Sequence, residues 1–225
     1  MPVPCPIHPE TPPPDANLLD RLRALSTSLV SDVFGRWAGA PGITPVAGLA
    51  DGEVVVGPAL TVRTRSGDNL VVHKAMDLAV RGDVLVVAAG GANDRSILGG
   101  LLAHYASTRG VAALVVDGAV RDLSELRQYA PPTFATGVTH LGPYKDGPGE
   151  IRGAVSIGGV PVANGDIIVA DEDGVAVIPR ARLDEIVTLA EAKGHAEALE
   201  RKDIANGVWD RSWLEHALTM SPTDV

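Results

Sequence analysis

The sequence predicts a single α/β fold, and three observations carry that prediction. Short, continuously apolar runs such as "GDVLVVAA" (82–89) and "VAALVVDG" (111–118) have the character of strands covered on both faces. Between them lies a segment whose second half has helical character and stops at Gly110, so strand, helix and strand form a right-handed crossover joining parallel neighbours. Aromatic residues make up only 4% of the chain against 45% hydrophobic overall, with 25 glycines, which favours strands joined by tight turns over a helical bundle.

The elements follow in order. Seven of the 17 prolines fall between Pro2 and Pro14, a density that blocks helix and ladder alike and predicts an extended arm over residues 1–14, able to lie across a neighbouring subunit. Asp15 is placed to cap a helix carrying Leu18, Leu19, Leu22 and Leu25, and a second helix is expected from Ser28 to Trp37. Residues 39–52 read as a Gly/Pro-rich loop, and "EVVVGPALTVRT" as two strands bent at Gly57-Pro58. Asp68 can cap a helix through Ala79. After the two apolar runs come short strands in "TFAT", "GAVSIGGVPV", "DIIVA" and "GVAVIP", a helix from Arg182 to Lys202 and a last short helix beyond Gly207. No repeat or charge block forces a boundary, so residues 15–225 form one domain.

Charge excludes some functions. A net charge of −9 opposes a polyanionic partner, so nucleic acid is not an expected ligand. The lone Cys5 rules out an internal disulfide framework and suits a reducing cytoplasm. Neither a signal sequence nor an apolar run of membrane-spanning length is evident, so export and membrane insertion are not expected. No G-x-G-x-x-G or G-K-[ST] spacing supports nucleotide binding, and a methyltransferase would need a glycine-rich cofactor loop that is not seen. "ADEDGVAV" is no calcium loop: counted from Asp171, Ala176 stands where glycine is needed and Arg182 where glutamate is needed.

Two stretches can carry chemistry. In "VVDGAVRDLSELR" a strand runs out at Asp117-Gly118, and Arg121 and Asp122 arrive at the carboxyl edge of the sheet, where open α/β folds bind ligands. An arginine suits a carboxylate or enolate oxygen, and an aspartate suits a hard divalent cation. On spacing alone the common fate of such a pair is the better reading, a capped turn with its arginine in water. In "ILGGLL", Gly99 and Gly100 precede a helical run whose first amides could hold an anion, or could simply form a tight turn. Asp32, Arg65, His73 and Lys74 read as structural or surface residues, and His195, Glu197 and Glu200 as a solvated helix face.

Taken together, "LGGLLAHYASTRGVAALVVDGAVRDLSEL" resembles the core signature of the RraA-like family, which groups class II 4-hydroxy-4-methyl-2-oxoglutarate (HMG) aldolases with regulators of RNase E activity. "LVSDVFG", "VVGPALTV", "GDNLVVHKA", "RGDVLVV" and "NGDIIVADEDGVAVIP" support it in the same order, so the resemblance covers the chain from about Ser28 to the C-terminal helix. It implies a swivelling-type, phosphohistidine-domain-like α/β domain with a mixed central sheet, an N-terminal helical layer and C-terminal helices. It also implies assembly as trimers or hexamers with sites between subunits.

By the same resemblance, the backbone at Gly99, Gly100, Leu101 and Leu102 holds a pyruvate carboxylate. Arg121 meets the pyruvate oxygen, Asp122 binds Mg²⁺ or Mn²⁺ largely through water, and Glu197 of an adjacent subunit supports proton transfer, with Glu200 as the fallback. The implied chemistry is cleavage of a 4-hydroxy-2-oxo acid to pyruvate, with oxaloacetate decarboxylation through the same enolate; the alternative is a non-enzymatic regulator of RNase E. The sequence departs from the aldolase pattern at Gly100, where many members carry Asp or Glu.

Overall fold

A computed structural model describes residues 2–35 and 39–218. Its architecture is the mixed α/β fold expected. The helices are α1 (Ala16–Leu22), α2 (Thr27–Val33), α3 (Leu70–Leu78), α4 (Gly100–Arg109), α5 (Leu123–Tyr129), α6 (Leu183–Ala205) and α7 (Trp213–Ala217). The strands are β1 (Thr44–Ala47), β2 (Val55–Thr64), β3 (Val84–Ala88), β4 (Ser96–Leu98), β5 (Ala113–Val120), β6 (Thr133–Val138), β7 (Gly149–Ile151), β8 (Val155–Ile157), β9 (Val160–Val162), β10 (Ile167–Asp171) and β11 (Gly174–Ile178).

The main sheet runs β1-β6-β5-β3-β2-β10-β11, with β4 added to β5 and β7 to β2, while β8 and β9 form a separate hairpin. Its middle, β6-β5-β3-β2, is parallel, and β1, β10 and β11 are antiparallel to their neighbours. Every residue of β3 and β5 is buried, which is why these strands show no polar alternation. Along β3 the side chains part by period two. Leu85 and Val87 join the core under α3 and α4, and Val84 and Val86 join the opposite core with Phe134 and Ile157. A third core packs α1, α2 and the first half of α6 on β10 and β11.

Asp15 caps α1 as expected, accepting the Asn17 N–H at 2.9 Å. The second helix differs from the expected span. Ser26 caps it, it starts at Thr27, and it stops at Val33 because Gly35 turns left-handed at φ 74°; the expected end at Trp37 lies outside the described residues. A strand, β1, forms inside the expected loop by pairing with β6, a partner some ninety residues away that no local signal announces. The helix after Asp68 has Asn69 as its cap residue, with Asp68 instead accepting the Leu70 N–H, and it ends at Leu78.

The stretch expected to bend at Gly57-Pro58 is one ten-residue strand, β2, and the dipeptide marks a change of partner. Val55 to Pro58 pair with β10, and Ala59 to Arg63 pair with β3. At Gly57 an added Cβ would lie 2.3 Å from the Gly82 carbonyl oxygen, so only glycine lets the two segments approach. Gly57→Ala is expected to cost about 1–3 kcal/mol through overpacking, read as a lowered urea midpoint. An unchanged midpoint would show that the Gly82 loop yields freely.

The proline-rich arm lies on its own chain. Its Pro6 carbonyl and His8 N–H pair with Ile151, and Arg180 donates to the carbonyls of Pro12 and Pro13. Among the described residues, no helix is long and apolar enough to cross a membrane.

Candidate active site

Strand β5 ends at Val120, and the next two residues cannot continue it. Arg121 donates its backbone N–H to the Leu98 carbonyl, and Asp122 adopts φ 60°, ψ 46°. A left-handed backbone is uncommon outside glycine, and Asp and Asn tolerate it best. Asp122 is the cap residue of α5, yet its side chain makes no capping bond; its Oδ2 accepts the Gly100 N–H at 3.2 Å. The capped-turn alternative therefore fails for the side chain, which is turned to the start of α4.

The start of α4 is built to receive it. Gly99 is the cap residue and offers no side-chain bond to the first turn. A Cβ at Gly99 would lie 2.3 Å from Asp122 Oδ2 and 2.9 Å from Arg121 Cγ, so the double glycine exists to let these side chains in. Because the Gly100 N–H is spent on Asp122, the N–H groups of Leu101 and Leu102 are left as the first-turn donors for an anion. His104 stacks on Tyr129 at 4.7 Å between ring centroids, and this contact holds α4 against α5.

Arg121 Nε lies 3.3 Å from Asp122 Oδ2 but without hydrogen-bond geometry, and it is a buried donor with no partner. The ion-pair contact is real in distance; the missing angle means that this N–H is still to be satisfied. The other end of the guanidinium packs on Gly142, where a Cβ would lie 2.9 Å from Nη1.

Gly99, Leu101, Leu102, Arg121 and Asp122 line one cleft of about 430 Å³. Glu125 of α5 stands beside Asp122 in this lining, against Gly100, and a wall of Asn69, His73, Pro143 and Lys145 completes it. Asn69 is 4% exposed and its Oδ1 has no hydrogen-bond partner, so a polar atom waits unsatisfied on this wall. Burial first, and then the nearby Lys145 charge, lower the His73 pKa, while Asp77 opposes them. His73 is therefore a neutral imidazole at neutral pH, and Lys145 is the cation of this wall.

One buried carboxylate fixes that wall. Asp68 is fully buried and accepts N–H groups from Leu70, Asp146 and Gly147 and the Arg65 guanidinium at 3.1 Å. The Arg65 and Arg95 guanidiniums both pack on the Tyr144 ring, 5.4 and 4.2 Å from its centroid, and the Tyr144 backbone pairs with Gly67 and Asn69. The loop carrying Lys145 is thus tied to the start of α3, which carries Asn69 and His73.

The remaining candidates lie elsewhere. Glu197 does not line the cleft of its own chain; on α6 it pairs with Lys193 at 3.3 Å and Arg201 at 3.0 Å. Glu200 is exposed on the same helix. Asp32 pairs with Lys193 at 3.2 Å and Lys74 with Asp77 at 3.9 Å, both at the surface. Sequence reasoning missed Asn69, Glu125 and Lys145. A Gly-Pro turn at 142–143 was the one available sign of the loop that carries the last.

The RraA-like family model, Aldolase/RraA, matches residues 27–177. The chain belongs to the RraA-like family. It is 38% identical over 203 residues to a Halalkalibacterium halodurans protein named "Putative 4-hydroxy-4-methyl-2-oxoglutarate aldolase", covering 89% of this chain and 95% of that one. A Thermus thermophilus protein named 4-hydroxy-4-methyl-2-oxoglutarate aldolase is 39% identical over 112 residues, 50% of this chain and 68% of the other. Among solved structures, Streptomyces coelicolor RraAS2, described as an unusual member of the RNase ES inhibitor RraA protein family, superimposes with a TM-score of 0.74. The identity is 30%, covering 84% of this chain and 98% of that one. Both branches that the sequence resembled are thus represented among relatives of the RraA-like chain.

Proposed function

We propose that this RraA-like chain is a divalent-metal-dependent class II aldolase. It would cleave a 4-hydroxy-2-oxo acid of the HMG type to pyruvate and a second oxo acid, and decarboxylate oxaloacetate at the same site. The observation that carries the reading is the convergence of Arg121, Asp122 and the open first turn of α4 on one cleft. The aldolase names of the two relatives support it.

Both reactions break a carbon–carbon bond next to a ketone and leave the electron pair on a pyruvate enolate. A protein that runs them must hold the carboxylate, fix the ketone oxygen and neutralise the charge that develops there. The backbone at Gly99, Gly100, Leu101 and Leu102 serves the first task, with the Leu101 and Leu102 N–H groups as donors. Arg121 serves the second, since its Nε–H is a buried donor without a partner.

The donor set fits Mg²⁺ or Mn²⁺. Asp122 is a hard oxygen ligand whose two contacts both fall on Oδ2, leaving Oδ1 to coordinate. Among the described residues, no cluster of three or more His, Cys, Asp or Glu side chains could strip a cation of its water, which suits ions that keep a hydrated shell. When bound there, the metal supplies Lewis-acid stabilisation of the enolate oxygen.

The proton of the 4-hydroxyl must be carried away, and Glu197 of a second copy, with Glu200 as fallback, supports that transfer. α6 is buried only at Leu183, Ile186, Val187 and Ala190, and beyond these it and the following segment expose Leu199, Ile204, Trp209 and Trp213. Leu101, at the cleft mouth, is 86% exposed. Apolar surface of this kind is what a subunit interface covers, so the trimer or hexamer is proposed to complete the site. A reducing cytoplasm suits the free Cys5.

The test is pyruvate release from HMG and from oxaloacetate with Mg²⁺ or Mn²⁺ and with EDTA. Metal-dependent release that EDTA abolishes is expected; no release, or release indifferent to chelation, refutes the reading. The likeness to RraAS2 favours a second reading, a regulator that binds RNase E, and a complex that slows RNA cleavage without pyruvate release would establish it instead.

A further inference from the structure

We propose that the proline-rich arm walls a second ligand site, a pocket for an apolar α-amino acid in which Arg152 receives the carboxylate and Asp83 and Glu10 receive the ammonium. The pocket has about 370 Å³ of space between these three residues, the arm, and an apolar surface that includes Leu19, Pro58, Leu60 and Val80. It shares no lining residue with the cleft. Asp83 immediately precedes β3, at the amino end of the parallel strands, whereas Arg121 and Asp122 follow the carboxyl end of β5.

The arm is fastened around the pocket without filling it. Thr11 donates its hydroxyl to the Asn164 carbonyl at 3.2 Å and accepts from the Asn164 side-chain amide at 2.9 Å, while Arg180 donates to the Pro12 and Pro13 carbonyls. Gly165 allows the close approach, since a Cβ there would lie 2.6 Å from Thr11 Cγ2. Pro12, Pro13 and Pro14 have no N–H to satisfy, and their fixed φ makes a wall that loses little freedom when a ligand arrives.

Arg152 is the anchor. Among the described residues two that are not glycine have a left-handed backbone, Asp122 at the cleft and Arg152 here, at φ 64°. Backbone strain of this kind collects at active sites and ligand clamps. The Arg152 side chain is 13% exposed, and its one ion pair among the described residues is with Glu10 at 3.7 Å, too long for a hydrogen bond. Its planar set of N–H donors is therefore open to a carboxylate.

Asp83 Oδ2 accepts the Val80 N–H at 2.9 Å, and Oδ1 accepts no hydrogen bond among the described residues. Burial raises the Asp83 pKa, the Val80 N–H and Arg152 oppose the rise, and Glu10 adds to it. Arg81 also borders the pocket, but its guanidinium is turned to Gly110, where a Cβ would lie 3.0 Å from Cζ. Two carboxylates against one free guanidinium leave the cluster negative, which disfavours a simple carboxylic acid. The apolar surface disfavours a charged side chain. An apolar α-amino acid offers an acceptor to Arg152, a cationic donor to Asp83 and Glu10, and an apolar body to the rest.

Calorimetric titration of the full chain with L-leucine, in EDTA so that no metal joins the amino acid, tests the assignment. Leucine is expected to bind, and isocaproate and isoamylamine, which lack the ammonium and the carboxylate respectively, to bind at least about 10-fold more weakly. Arg152→Asn, which suits the left-handed backbone, is expected to weaken leucine about 10- to 100-fold without lowering the melting temperature. Asp83→Asn keeps an oxygen for the Val80 N–H and is expected to narrow the gap between leucine and isocaproate. No binding of leucine, or isocaproate binding as well as leucine to the wild type, overturns the proposal. Wild-type leucine affinity in either variant places the amino acid elsewhere and overturns it too.

Discussion

Asp122→Asn is expected to lower kcat/KM for pyruvate release by about 10²–10³-fold, the scale seen when one preorganised electrostatic group is removed from a site. Asparagine is the informative replacement because of the backbone. At φ 60°, ψ 46°, Asp and Asn are tolerated, whereas alanine would add roughly 1–2 kcal/mol of left-handed strain and confuse a lost ligand with a distorted turn. The amide oxygen of Asn can still accept the Gly100 N–H, so the start of α4 keeps its shape while the charge is gone. Steady-state kinetics beside a circular-dichroism melt check the result. Unchanged kcat/KM would remove Asp122 from the chemistry.

Gly99→Ala should be nearly as damaging, by a different route. Its single methyl would stand 2.3 Å from Asp122 Oδ2 and 2.9 Å from Arg121 Cγ, so both functional side chains must move to admit it. Displacing reacting groups by about an ångström costs on the order of 10²-fold in rate. Gly99 has an extended backbone, φ −143°, ψ −169°, which alanine adopts without strain, so global stability should change little. A variant that melts like wild type and has lost about 10²-fold in kcat/KM is the expected outcome; full activity would mean that the contact between α4 and Asp122 is dispensable.

How much of this was legible in the sequence depended on how far apart the partners lie. β3 and β5 announced themselves because burial on both faces leaves an unbroken apolar run, and the expected parallel pair is there. Arg121, Asp122 and Gly99 were visible because a strand end and a helix start each have a local signature. Only the resemblance joined them into one site, and the structure places the two within hydrogen-bonding distance. β1 and the change of partner along β2 were hidden, since both depend on distant strands. The far wall was hidden for the same reason. His73 is an exposed residue, as it read, but nothing near it in sequence announced that it shares a cleft with Lys145, some seventy positions later. Gly100 looked like a missing acid, and a sequence cannot show that Glu125 already occupies its place.

Asp68 has a consequence for how this cleft can change over time. Because one carboxylate binds the start of α3 and the turn at Asp146-Gly147 together, Asn69, His73 and Lys145 move as a single piece. Lengthening or shortening the 140s loop would break bonds to a fully buried charge, an expensive alteration. Replacing Lys145 or His73 by another side chain leaves that hub intact. Divergence toward new substrates is therefore channelled into point substitutions on a fixed frame, and insertions in this wall are closed to it.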